Sequence, residues 1–183
     1  MLMVEAKSPG TYAAAALGVA AHAVVAPIGL DDWSDVRHLH WLAFQKLIGV
    51  YLEHGEAEAF KVVAASCAYS QDLRRANLIG ARIDGHLAGT CGWKPADDAG
   101  ASARLIGLFV NPLFTRVGLG RRLVEDTEAL AAAAGFQVFT AHAPAGAIDF
   151  FGSLGYEIAS HGVHSIDGKA GIPVAFMRKA AHR

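Results

Sequence analysis

Residues 103–135 read ARLIGLFV-NPLFTRVGLG-RRLVEDTEALAAAAG and constrain the chain more than any other stretch. Residues 105–110 are an almost continuous apolar run, the pattern of a strand buried on both faces. Asn111-Pro112 ends it, because proline holds its predecessor extended and offers no N–H to a neighbouring strand. After a short loop and Gly118-Leu119-Gly120, the spacing predicts a helix. Leu119, Leu123, Thr127, Leu130 and Ala134 share its apolar face, and Arg122, Glu125, Asp126 and Glu128 fall largely off it. Gly135 stands where a left-handed cap residue would end that helix.

The charges at the front of the helix run against the usual pattern. A helix N-terminus carries partial positive charge and normally attracts Asp or Glu. Here Arg116, Arg121 and Arg122 crowd it, with the acids one turn on. Arg121–Glu125 and Arg122–Asp126 are i,i+4 pairs in the less favourable order, worth about 0.2–0.5 kcal/mol each. The arrangement suits an anion at the N-terminus, reached by bare N–H groups beside Gly118 and Gly120. A solvated basic patch beside a loosened turn is the alternative. A dinucleotide fingerprint fits poorly, since its third glycine would fall at Leu123, and no Gly-Lys-Ser/Thr follows to make a nucleotide P-loop.

The stretch resembles the acetyl-CoA-binding motif of the GNAT superfamily of N-acetyltransferases: an apolar strand, V-x-P, then Q/R-x-x-G-x-G/A opening a helix. Here it stands as Val110-Asn111-Pro112 and Thr115-Arg116-Val117-Gly118-Leu119-Gly120, with Thr115 where the family has Gln or Arg. A second local match follows. Ala143 through Tyr156 reads A-P-A-G-A-I-D-F-F-G-S-L-G-Y, similar to the family's A-x-x-x-A-x-x-F-Y/F-x-x-L-G-F/Y.

The rest of the chain is read from its own signals. Residues 1–21 form an arm, loose or a short helix, and residues 22–180 one domain. A strand over 22–28 is followed by Asp31, Asp32 and Ser34 as N-cap candidates for a helix with Val36, Leu39, Trp41, Leu42, Leu47 and Ile48 on its apolar face. A second helix spans 56–68, with Phe60, Val63, Ala64 and Cys67 on one side. Strands over 76–83 and 86–93 are joined by Asp84-Gly85, a hairpin signal. After the central helix come a strand over 136–141, a helix with Pro144 at its first position running through Leu154, and a strand over 156–165. Asp167-Gly168 then turns the chain into a last strand over 172–177. The order is β-α-α-β-β-β-α-β-α-β-β: an α/β (α+β) fold with a mixed central sheet, similar to GNAT folds over residues 22–180.

A net charge of −1 gives no global attraction to nucleic acid or to an anionic membrane. Two cysteines, Cys67 and Cys91, lack metal-ligand spacing, and the nine histidines match no ligand pattern. No metal is expected. The alanine-rich residues 11–26 lack the basic start of a signal peptide and are too short and weakly apolar to span a bilayer. The expectation is a soluble cytoplasmic protein, with a homodimer left open.

The resemblance implies an acetyl-CoA-dependent N-acetyltransferase acting on a primary amine of a small molecule or peptide by direct attack in a ternary complex. A non-catalytic acyl-CoA-binding module is the alternative. The resemblance lays the pantetheine arm along Leu108, Phe109 and Val110 and wraps the pyrophosphate with Arg116, Val117, Gly118, Leu119, Gly120 and Arg121. Many members place a tyrosine from a Phe-Tyr pair at the sulfur. Here the pair is Phe150-Phe151, which puts Phe151 at that place without a hydroxyl. His142, ending the fifth strand, is the nearest ionisable residue by the aligned motif. It either relays a proton as neutral imidazole or only orders the strand end. Tyr156 reads as a core aromatic, His161 and His164 as edge residues, and Glu53, His54 and Glu56 as a loop cluster near the acceptor.

Overall fold

The computed structural model describes residues 18, 20–48, 58, 62, 66–96, 100–165 and 171–181. Seven strands make one sheet in the order β1-β2-β3-β4-β5-β7-β6. They are β1 (Val24–Pro27), β2 (Asn77–Ile83), β3 (His86–Pro95), β4 (Ser102–Val110), β5 (Val138–Pro144), β6 (Glu157–Ser165) and β7 (Gly171–Ala180). Only β4 and β5 run parallel; every other neighbouring pair is antiparallel. The hairpin turns through Asp84 and Gly85, with φ of 50° and 80°, the positive pair that a two-residue turn between twisted strands requires.

Helix α1 (Trp33–Ala43), continued by a wider turn over Phe44–Ile48, and α2 (Cys67–Arg74) cover one face. Helix α3 (Leu119–Ala133) and the short α4 (Ile148–Gly152) cover the other. Leu119, Leu123, Val124 and Ala131 of α3 pack on Cys91, Ala103, Leu105, Phe139 and Ala141 in the main core. Trp33 and Val36 of α1 pack with Leu73 and Leu78 on the opposite face. No described helix is long and apolar enough to cross a membrane.

Several boundaries differ from expectation. Residues 20–22 are helical and the first strand begins at Val24. Of the expected second helix, Glu58 and Val62 are described and are helical, while Phe60, Val63 and Ala64 lie outside the described residues, as do residues 1–17 and the Asp167-Gly168 turn. A further helix, Cys67–Arg74, is held by Ser66 accepting a bond from the Tyr69 N–H. Pro144 does not open a helix. It is the last residue of β5, followed by one tight turn and then α4. The face of α3 is also rotated: Leu130 is 47% exposed, while Glu128 is buried. Glu128 is drawn inward by two partners, the Tyr156 hydroxyl at 2.9 Å and the Lys179 ammonium at 2.6 Å. Periodicity counts a carboxylate as outward and cannot see partners on other strands.

β4 carries one extra residue. Thr90↔Phe109 and Gly92↔Ile106 pair across β3–β4, so two steps on β3 face three on β4. The bulge falls at Gly107, whose φ of 62° a Cβ would strain. It changes which side chains face which layer. Leu108 and Val110 pack toward the α3 core, while Phe109 turns to the α1 face.

Candidate active site

β4 and β5 pair only at Ser102↔Val138, Ala103↔Phe139 and Arg104↔Thr140. β4 continues to Val110 and β5 to Pro144, so beyond Arg104 and Thr140 the strands run on without pairing. Backbone groups on the inner edge of β4 are left without a strand partner there, an edge that an extended chain can complete.

A cavity of about 780 Å³ lies at this opening. Leu108, Phe109 and Val110 line one wall, Pro144 to Ala147 and Phe150 another, and Ala43, Leu47, Ile172 and Pro173 close the α1 side. Its far end is the start of α3. Gly118 precedes that helix with a φ of 86°, no side chain caps its N–H groups, and its first turn holds no acidic residue. Arg116, itself at a φ of 64°, Gly118, Gly120 and Arg121 line this end. A Cβ on Gly120 would meet the Phe150 ring and Val110 at 3.5–3.6 Å, an ordinary contact. Packing alone therefore does not demand glycine there.

The expected site residues divide. Leu108, Phe109, Val110, Arg116, Gly118, Gly120 and Arg121 line the cavity. Val117 packs against the main core and the Leu119 side chain is buried in it, so only their backbone can face a ligand. Phe151 is a correction. It is 5% exposed and sits in the core between Phe150 and Tyr156, because α4 begins at Ile148 and turns Phe150 outward. Phe150 lines the cavity instead. Arg122 also leaves the cluster, with Nη1 donating to the Ala20 carbonyl. Arg121 remains at the helix start, 3.3 Å from the Ser153 hydroxyl and 3.6 Å from Glu125.

His142 stands at the opening but does not line the large cavity. It faces a second hollow of about 330 Å³ on the sheet face that α1 also covers, with Arg104, Thr140 and Arg178. Its Nδ1 is 3.3 Å from Nδ1 of His164, and its ring meets Phe176 edge-on. Partial burial, then Arg104 and His164, push its pKa down to about 4, so the ring is neutral at pH 7. His164 is lowered too, by burial, then Arg104 and Lys94, with Asp72 opposing. Tyr156 is committed to Glu128 and is absent from both hollows. Glu53, His54 and Glu56 lie outside the described residues.

Sequence patterns missed His40. It is fully buried, with Nδ1 2.8 Å from the Tyr69 hydroxyl, Nε2 2.7 Å from Thr90 Oγ1, and its ring 4.2 Å from that of Phe109. The signal was present, since Trp33, Val36, His40 and Ala43 share the buried helical face.

Comparison with curated proteins finds no sequence match. Solved structures share the fold. The GCN5-related N-acetyltransferase of Rhodopseudomonas palustris aligns with a TM-score of 0.77 at 21% identity, covering 87% of this chain and 96% of its own. The PaiA N-acetyltransferase of Thermoplasma acidophilum, in complex with coenzyme A, aligns at 0.66 with 14% identity over 87% and 99% of the two chains. YncA of Salmonella typhimurium, solved with its cofactor acetyl-CoA, aligns at 0.63 with 14% identity over 88% and 95%. The profile of the acetyltransferase (GNAT) family matches residues 33–156, from α1 through the central strand and α3 to Tyr156. With well over half its length matched, this chain belongs to the GNAT family of acetyltransferases.

Proposed function

We propose that the chain transfers an acetyl group from acetyl-CoA to a primary amine of a small molecule or peptide, by direct attack in a ternary complex. The observation that carries this is the parting of β4 and β5 beyond Arg104↔Thr140, over a cavity that runs to the uncapped start of α3. The residues present suit acetyl-CoA. Bare N–H groups, Arg116 and Arg121 would take the pyrophosphate, and Leu108 to Val110 would flank the pantetheine amides with unpaired backbone. Two of the structural relatives were solved with CoA or acetyl-CoA. When bound, acetyl-CoA supplies a thioester whose carbonyl needs a donor as its oxygen gains charge; the freed edge of β4 carries such N–H groups.

His142 takes the proton. The amine nitrogen forms a bond to the acetyl carbon, the carbon–sulfur bond breaks with its electron pair leaving on sulfur, and one proton leaves nitrogen. At neutral pH the His142 ring has a lone pair to receive it. If His142 donates Nδ1–H to His164, its Nε2 is left as the acceptor; that tautomer is the one proton removal from the amine requires. With phenylalanine at both 150 and 151, the sulfur leaves as thiolate, which an ordinary thiol pKa of about 8.5 makes tolerable. The enzyme is read as cytoplasmic, with Cys67 and Cys91 both free.

Thiol release from acetyl-CoA with a panel of primary amines, and the mass of each acetylated product, tests the proposal. Turnover of at least one amine is expected. Tight CoA binding with hydrolysis-level release for every amine would favour a binding module without turnover.

A further inference from the structure

The smaller hollow has a chemistry that acetyl-CoA binding does not use. Strand register sets a row of side chains across the α1 face: Arg104 on β4 pairs with Thr140 on β5, and Thr140 pairs with Arg178 on β7. Registered neighbours point to the same face, so two arginines flank one threonine at strand spacings of about 4.8 Å. Arg104, Thr140, His142 and Arg178 all line the hollow, with Ser102 and Ala96 at its end.

Neither guanidinium makes a hydrogen bond or ion pair with another described residue. The remaining charges of the row do not neutralise them. Lys94, register partner of Arg104, is held by Asp72 at 2.7 Å, and Glu157, register partner of Arg178 on the edge strand, forms no ion pair with it. The positive field is already felt nearby, since Arg104 contributes to the lowering of both His142 and His164. Two arginines without a partner among the described residues, both lining a hollow of about 330 Å³, make a site for a compact anion on a molecule of small-ligand size.

The position ties this hollow to the large cavity. His142 lines the hollow and Pro144, two residues on, lines the cavity, so the two lie about 7 Å apart along β5. An acceptor with its anion between the arginines would extend its amine toward His142, two residues and about 7 Å along β5 from Thr140.

We propose that this hollow is the acceptor subsite, that Arg104 and Arg178 bind the acceptor's carboxylate across Thr140, and that the acceptor class is therefore amino acids. The assignment rests on the transferase reading of the large cavity. Its test is separable from that reading. Rates of acetylation are measured for the common L-amino acids and for their carboxamides, in the parent and in Arg104→Gln and Arg178→Gln. In parallel, equilibrium binding of the N-acetyl amino acids and of their carboxamides is measured with and without CoA, a readout that needs no turnover.

The parent should prefer the best carboxylate over its amide by about tenfold to a hundredfold in kcat/KM, the range for a hydrogen bond to a charged group. Each glutamine variant should erase most of that preference through KM, leaving the KM for acetyl-CoA unchanged, and should weaken the N-acetyl acids to the level of their amides. Amides used as well as acids, with CoA bound and amines acetylated, would overturn the subsite and leave the transferase standing. Acid-selective binding lost in both variants, without turnover of any amine, would support the subsite and remove the transferase. A preference that survives both substitutions also overturns it.

Discussion

His40 Nε2 sits 2.7 Å from Thr90 Oγ1, and that hydroxyl donates its single hydrogen to the Gly107 carbonyl at 2.7 Å. Thr90 must therefore accept from His40, which fixes Nε2–H on the ring and leaves Nδ1 to accept from the Tyr69 hydroxyl. A buried neutral histidine thus pins the one bulge in β4, next to the opening between β4 and β5.

Burial pushes the His40 pKa down to about 3, against about 6.5 in an unfolded chain. The unfolded state then binds more protons below pH 6.5, so stability present above that pH is lost as pH falls toward 3. The slope from this group approaches about 1.4 kcal/mol per pH unit. Denaturant melts between pH 7 and 4 should show this loss in the parent, and His40→Gln should be less stable at pH 7 but with a flatter slope. An identical slope in both proteins would assign the pH dependence elsewhere.

The buried set Tyr156, Glu128 and Lys179 should behave as a structural tie. Glu128→Ala leaves an ammonium without its carboxylate near the core, a change that costs about 3–5 kcal/mol for a buried pair. Tyr156→Phe loses one 2.9 Å hydrogen bond and should cost about 1–2 kcal/mol. Both are read from urea midpoints. An effect of Tyr156→Phe on kcat larger than tenfold, at unchanged stability, would move the phenol into the chemistry.

Phe150 and Phe151 should respond oppositely to a hydroxyl. Phe150→Tyr adds it at the cavity wall and should leave stability within about 0.5 kcal/mol. Phe151→Tyr adds it to the core, at about 1–3 kcal/mol if it finds no partner. Thermal melts of the two variants decide which ring faces the ligand.

His142→Ala should lower kcat at least about tenfold with the KM for acetyl-CoA little changed. Because the ring is protonated only below a pKa of about 4, His142 should contribute no acid limb near neutrality; the parent's limb from this group lies near pH 4. His142→Gln retains a hydrogen-bonding group but cannot take a proton. Full rate with glutamine would make the histidine an ordering group, with water carrying protons.

Local chemistry made much of this legible. The apolar run stopped by Asn111-Pro112, the glycines at the start of α3 and the Asp84-Gly85 hairpin are each decided by a few adjacent residues, and each stands where expected. Contacts across the sheet were not legible. The bulge at Gly107 depends on Thr90 and His40, the burial of Glu128 on Tyr156 and Lys179, and the pairing of Arg104 with Arg178 about Thr140 on register between three strands. Matching the family's Phe-Tyr pair places Phe151 in the site, and a motif match does not show which ring α4 turns into the core.

The most direct measurement is calorimetric titration of CoA into the parent and into Gly120→Glu. A Cβ fits at Gly120 with ordinary contacts, so the variant should keep its fold, to be verified by its thermal melt. A carboxylate at the start of α3 would occupy the place assigned to the pyrophosphate and repel it. The parent should bind CoA with one site per chain, and the folded variant should show no measurable heat of binding. A folded Gly120→Glu that binds CoA as tightly as the parent would contradict the placement of the cofactor at this helix.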